Sequence, residues 1–169
     1  MEIGLLILRL VVGLTVAAHG VQKLFGWFGG TDLAGVGGFF ETLGFRPGKL
    51  HAFLAGASEA GGGLLLALGF LTPLGAAAVI AVMLVAAVSV HSKSFFVPKG
   101  GFEYTLALGA AALTLAFTGP GSISLDAVLG LRLAGPGWGA GAFLVGIAGG
   151  LATLASRRPA AQQTHPATR

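Results

Sequence analysis

Seven polar side chains lie at the ends of long apolar segments, where a membrane would meet water. They are His19, Gln22, Lys23, His51, His91, Glu103 and Tyr104. Histidine and glutamate exchange protons near neutral pH, while lysine, glutamine and tyrosine donate hydrogen bonds. We therefore take one group as candidate catalytic residues, namely His19, His91 and Glu103. The other group contains the candidate ligand-binding residues, namely Lys23, Gln22, His51 and Tyr104.

Three kinds of ligand suit such a group. Histidines and a carboxylate bind metal ions, two histidines hold a haem, and hydrogen-bonding side chains bind a quinone head group. The sequence has no H-x3-H pair, no Glu-x-x-His pair, no phosphate-binding loop and no cysteine. It predicts no metal site and no covalent cofactor, and it favours a quinone or another small hydrophobic ligand over haem. Solvated helix ends without a ligand are the alternative.

Two further charged residues, Arg9 and Glu59, lie well inside apolar segments. A charge in hydrocarbon costs several kcal/mol unless it has a partner. Arg9 lies ten residues before His19, and Glu59 lies eight residues after His51. If both histidines mark the same membrane boundary, the two charges reach a similar depth. The sequence predicts an intramembrane Arg9–Glu59 ion pair, either as a clasp between helices or as a group that handles protons or ligand.

The composition requires helices that cross a membrane to position these residues. Of the 169 residues, 54% are hydrophobic and 9% are charged, and the mean hydropathy is +0.87. These values exclude a soluble domain, and the length leaves no room for a separate catalytic domain. We predict an all-α membrane bundle with spans over 5–23, 50–71, 74–90, 103–117 and 139–155.

Basic residues orient this predicted bundle. Most lie in the first connection, the third connection and the tail, while Arg132 stands alone on the opposite side. Because basic residues stay in the cytoplasm, we expect a multi-pass inner-membrane protein with an outer N-terminus and a cytoplasmic C-terminus. The net charge of +4 then reports topology and gives no reason to expect nucleic-acid binding. The predicted organisation is a bundle over 1–132, an extra transmembrane helix over 133–156 and a disordered cytoplasmic tail over 157–169.

Two connections carry signals of short helices. The first is rich in aromatic residues and glycine, and Asp32 is placed to cap a short interfacial helix that runs to Leu43 and ends at Gly44. In the second, Asp126 is placed to cap a short re-entry helix after a Gly-Pro-Gly turn.

Several segments occur in an order that resembles the DoxX family of small bacterial membrane proteins. They are HGVQKLFG at 19–26, LGFLT at 68–72, GGFEY at 100–104 and GPGSISLD at 119–126, together with Arg9, Glu59 and His91. The resemblance implies a core of four transmembrane helices, so the apolar stretch after Arg132 is an addition. The family is named for the small subunit of a thiosulfate:quinone oxidoreductase, and other members are membrane partners of soluble redox or sulfur-transfer proteins.

Two functions follow from these expectations. The first is a membrane subunit of a quinone-linked or redox-associated assembly, which binds a small hydrophobic ligand or a soluble redox or sulfur-transfer partner at its cytoplasmic side. Whether such a subunit is itself an enzyme stays open. The alternative is a non-catalytic membrane scaffold or a small-solute permease. Both allow a homo-oligomer, because glycine-rich helix faces pack closely.

Overall fold

A computed structural model describes residues 1–158 of the chain. Within them the chain is helical, with short 3-10 turns at Trp27–Gly29 and Val97–Lys99. The α-helices are α1 (Glu2–Phe25), α2 (Leu33–Thr42), α3 (Gly48–Leu68), α4 (Thr72–Ser89), α5 (Glu103–Thr118), α6 (Leu125–Val128) and α7 (Pro136–Ala155). The predicted disordered tail lies outside the described residues from position 159 onward.

The prediction of an all-α membrane protein is confirmed. Four helices, α1, α3, α4 and α7, are long and apolar enough to cross a bilayer. The apolar helix α5 has 16 residues, so it is about 24 Å long at a rise of 1.5 Å per residue. Each of the five predicted spans falls on one of these helices. The last of them, α7, packs along α4 and α5.

Helices α1 and α3 run antiparallel and touch backbone to backbone. A Cβ atom added to Gly13 would lie 2.5 Å from the carbonyl oxygen of Gly63, and one added to Gly20 would lie 2.6 Å from that of Gly56. Neither glycine can therefore accept a side chain without moving the facing helix. In a membrane, where lipid is as apolar as leucine, such close backbone packing supplies much of the attraction between helices.

Helix α4 lies at the centre of the bundle, in contact with α3, α5 and α7. Half of its residues are buried. The core that surrounds it draws on α1, α3, α5 and α7 and includes Val12, Val16, Leu66, Val79, Met83, Leu108, Leu115 and Ala142. Because the side chains of this cluster are aliphatic or small, the helices pack closely around α4.

The two ends of the bundle differ, and we name them after the short helices beside them. At the α6 end, the Asp126 carboxylate accepts hydrogen bonds from the backbone amides of Leu71 (2.8 Å) and Thr72 (3.1 Å) and from the Thr72 hydroxyl (2.7 Å). Asp126 thus caps α4, a long helix. The expected short helix exists, but Ser124 caps it by accepting from the Ala127 amide at 3.2 Å. The prediction that Asp126 caps the short helix was wrong because that carboxylate serves a neighbouring helix.

At the opposite end, the predicted short helix and its Asp32 cap are confirmed. Asp32 precedes α2 and accepts a hydrogen bond from the Gly35 amide at 2.8 Å. Helix α2 packs against α3, and Phe40 is buried between them and beside Phe45. The α2 end of the bundle is therefore covered by a short helix with one buried apolar face.

Two glycines on α3 offer a matched test of the α1–α3 contact. In Gly63→Ala the new methyl group meets the backbone of α1, whereas Gly61→Ala adds the same group where no atom lies within 4 Å. We expect Gly63→Ala to lower the free energy of unfolding by about 1–3 kcal/mol. Thermal unfolding in mild detergent would measure it. Equal melting temperatures for the two variants would contradict the close contact.

Candidate functional site

A cavity of about 550 Å³ lies at the α2 end, bounded by α1, α2, α3, α4 and α5. Its wall is largely apolar and includes Val36, Phe39, Phe40, Leu43, Phe45, Val82, Met83, Val85 and Val90. Its polar lining includes six of the residues singled out in the sequence: His19, Gln22, Lys23, Glu59, His91 and Tyr104. A concave, mostly apolar cavity with a few convergent polar groups is the usual form of a small-molecule site.

An ion pair between Lys23 and Glu59 lies on the wall of this cavity. The Lys23 Nζ donates to Glu59 Oε2 at 2.6 Å, and the side chain of Glu59 is 4% exposed against 26% for Lys23. Side chains on a helix lean toward its N-terminus, so Lys23 near the end of α1 reaches back along the bundle toward Glu59. The buried carboxylate thus has a charged partner that also faces the cavity.

The predicted Arg9–Glu59 pair was wrong. The contact of Gly20 with Gly56 places Glu59 about ten residues along α1 from Arg9, a separation of about 15 Å. The sequence analysis assumed that His19 and His51 lie at equal depth in the membrane. The glycine contacts instead place α1 about two helical turns along α3 from that assumed alignment. Arg9, 4% exposed, instead donates a hydrogen bond to the backbone carbonyl of Ile123 at the α6 end.

Two aromatic side chains from helices that are far apart in the sequence meet at the cavity. The Nε2 atom of His19 on α1 lies 3.3 Å from the hydroxyl of Tyr104 on α5, and the rings meet edge to face. Nearby, His91 lies just past the end of α4 and also lines the cavity. The imidazole and phenol can each donate or accept a hydrogen bond, so they can accommodate either protonation state of a ligand oxygen.

Two of the predicted site residues lie elsewhere. The Glu103 carboxylate accepts a hydrogen bond from the Val97 amide at 3.0 Å, which holds the connection before α5. The ring of His51 packs against that of Phe45, with centroids 5.2 Å apart, and borders a different cavity. Neither residue lines the cavity that contains Lys23, so the catalytic role of Glu103 and the ligand-binding role of His51 stay predictions.

Sequence reasoning missed the apolar half of this site. Helix α2 supplies Val36, Phe39 and Phe40 to the wall, and α4 supplies Met83. The apolar spacing on α2 was visible in the sequence, but it fits a helix lying on lipid as well as one covering a cavity. The sequence contains no indication that Met83 lines a cavity, because the residues around this methionine are all apolar.

The chemistry available here is hydrogen bonding and charge. Within residues 1–158, no three His, Cys, Asp or Glu side chains lie close enough together to hold a metal ion. The cavity instead offers an ammonium donor, a carboxylate acceptor, and an imidazole beside a phenol. Such groups bind the oxygens of a small apolar molecule and exchange protons with them.

The fold and the site define a multi-pass helical membrane protein with a polar-lined cavity at one end. Residues 4–92 match the model of the DoxX family. The chain is also 30% identical over 125 residues to "Putative oxidoreductase CatD" of Bacillus subtilis (strain 168), across 74% of this chain and 86% of that protein. The protein therefore belongs to the DoxX family. No solved structure matches it.

A double-mutant cycle tests the observed ion pair. In Lys23→Met the buried Glu59 carboxylate loses its partner, so we expect the free energy of unfolding to fall by about 2 kcal/mol or more. The double variant Lys23→Met/Glu59→Gln should recover part of this loss. The control cycle combines Arg9→Met with Glu59→Gln, whose effects should simply add because the side chains lie far apart. Unfolding in detergent measures both cycles. Coupling in the control cycle alone would show that the predicted Arg9 pairing was right.

Proposed function

We propose that this protein is the membrane subunit of a quinone-linked redox assembly, and that the cavity at the α2 end receives the quinone head group. The observation that carries the proposal is the placement of the Lys23–Glu59 ion pair on the wall of an otherwise apolar cavity. A quinone has an apolar ring and two opposed carbonyl oxygens, so it requires an apolar cavity with hydrogen-bond donors. The name of the Bacillus relative, "Putative oxidoreductase CatD", supports a redox role.

Each polar group has a distinct part in this proposal. The Lys23 ammonium donates to one quinone oxygen, and Glu59 holds that ammonium in place. The pair formed by His19 and Tyr104 donates to the other oxygen. After reduction the quinol hydroxyls become donors, and the Glu59 carboxylate and the His19 imidazole are the available acceptors.

Reduction of a quinone to a quinol consumes two electrons and two protons. The electrons come from a soluble redox or sulfur-transfer protein that docks at the α2 end, since this chain has no cysteine with which to form a thiol redox centre. The protons enter at the same end through His91 and His19, both of which line the cavity. The membrane subunit thus binds the quinone and delivers protons, and the partner supplies the electrons.

The same proposal sets the α2 end in the cytoplasm. The backbone amide of Arg158 donates to the Gly44 carbonyl at 2.7 Å, so the end of α7 lies beside the turn between α2 and α3. Arg157 and Arg158, which follow α7, therefore share one end of the bundle with the basic residues of the α1–α3 and α4–α5 connections. This concentration of positive charge is typical of a cytoplasmic surface.

Single cysteines test this orientation, because the natural chain has none. Lys99→Cys places a thiol in the α4–α5 connection and Arg132→Cys places one between α6 and α7. With a membrane-impermeant maleimide on intact cells whose outer membrane is permeabilised, we expect Arg132→Cys to react and Lys99→Cys to react only after lysis. The reversed pattern would place the α2 end outside.

Equilibrium binding of radiolabelled 2-methyl-1,4-naphthoquinone, which has no side chain, to the purified full chain tests the head-group site. We expect saturable binding that weakens about tenfold in Lys23→Met and in Tyr104→Phe, because each loses a donor to a quinone oxygen. Lys99→Met, which removes an exposed lysine outside the cavity, should bind like the natural protein. Absence of saturable binding would contradict the proposal and favour the scaffold or permease alternative.

A further inference from the structure

A second cavity, of about 350 Å³, lies between α3, α4 and α7. Its lining is mostly apolar and includes Leu54, Ala55, Ala81, Val82, Val85 and Ala152. His51, Ser58, Thr153 and Ser156 add its polar atoms. No step of the proposed quinone chemistry uses this cavity.

The two cavities share part of their walls. The four residues that line both are Phe40, Ala55, Val82 and Val85. Three of these are small or branched aliphatic side chains, and Phe40 is an aromatic ring on the short covering helix α2. The two cavities are thus adjacent, and the same four side chains separate them.

Two residues that line the second cavity are also exposed on the surface of the bundle. Leu54 on α3 is 50% exposed, and Ala152 on α7 is exposed as well. Both residues line the cavity, and both belong to helices long enough to cross the membrane. An apolar chain that passes from the first cavity through the second would therefore emerge among the lipid tails.

We propose that the second cavity binds the apolar side chain of the same ligand, which is then an isoprenoid quinone. Its head group lies by Lys23 and Glu59, and its first isoprenoid units pass Phe40 into the space between α3 and α7. This inference rests on the proposed function, since it assigns the head group to the first cavity. It adds a separate, mostly apolar binding site that a head group alone would not need.

Matched substitutions on α7 test the inference. Ala152→Phe fills the second cavity, whereas Leu151→Phe places the same ring on an exposed neighbouring position that lines neither cavity. We expect Ala152→Phe to weaken binding of a naphthoquinone with four isoprenoid units about tenfold, by steric conflict, and to leave binding of 2-methyl-1,4-naphthoquinone unchanged. Leu151→Phe should change neither affinity.

Photo-crosslinking gives a second readout, which detects contact with the ligand and does not depend on a loss of affinity. Phe53 and Leu54 are adjacent on α3 and equally exposed, at 49% and 50%, but only Leu54 lines the second cavity. With benzoylphenylalanine at either position, we expect an adduct with the isoprenoid quinone at 54 and phospholipid adducts at 53. Mass spectrometry identifies the adducts.

The outcomes separate the two proposals. If the natural protein binds neither quinone, the proposed function fails. Suppose instead that the natural protein binds both quinones, that Ala152→Phe weakens binding of both or of neither, and that position 54 yields only phospholipid adducts. The head-group site then stands and this inference fails. In that case the second cavity is filled by ordinary membrane lipid.

Discussion

The backbone contact between α1 and α3 sets the depth of the charged groups carried by those two helices. Glycines on each helix leave no room for a side chain, so the two backbones meet at one register. A shift along either helix would press methyl groups or larger side chains into the opposite backbone. This register brings Lys23 to Glu59 and keeps Arg9 away from it. The polar site thus depends on residues that have no polar side chain.

The charged side chains buried in this bundle have different partners. Glu59 has an ammonium partner, Asp126 accepts hydrogen bonds from the free amides at the start of α4, and Arg9 donates to a backbone carbonyl. Because hydrocarbon cannot solvate a charge, such partners are required for stability. The pair beside the cavity is unusual in this set because it also contacts the space where a ligand would bind.

The sequence predicted the helices better than their mutual register. Apolar runs of membrane length and the Asp32 cap identified α1, α2, α3, α4, α5 and α7, because those signals are local. It also identified most polar groups of the cavity, since polar residues at the ends of apolar segments are few. The error over Arg9 arose because helix ends do not report how two helices slide along each other. That offset is decided by close contacts such as Gly20 with Gly56, which only the assembled structure shows.

Helix α7 follows the segment that matches the family model, yet it is part of the cavity architecture. Its residues Ala152 and Thr153 line the second cavity, and the turn that closes the first is tied to its end. There the Arg157 Nε donates to the Leu43 carbonyl at 2.9 Å, and its guanidinium lies over the ring of Phe45. The same helix thus secures the turn beside one cavity and lines the other. Helix α7 therefore contributes to the surroundings of both cavities, although it lies outside the segment that matches the family model.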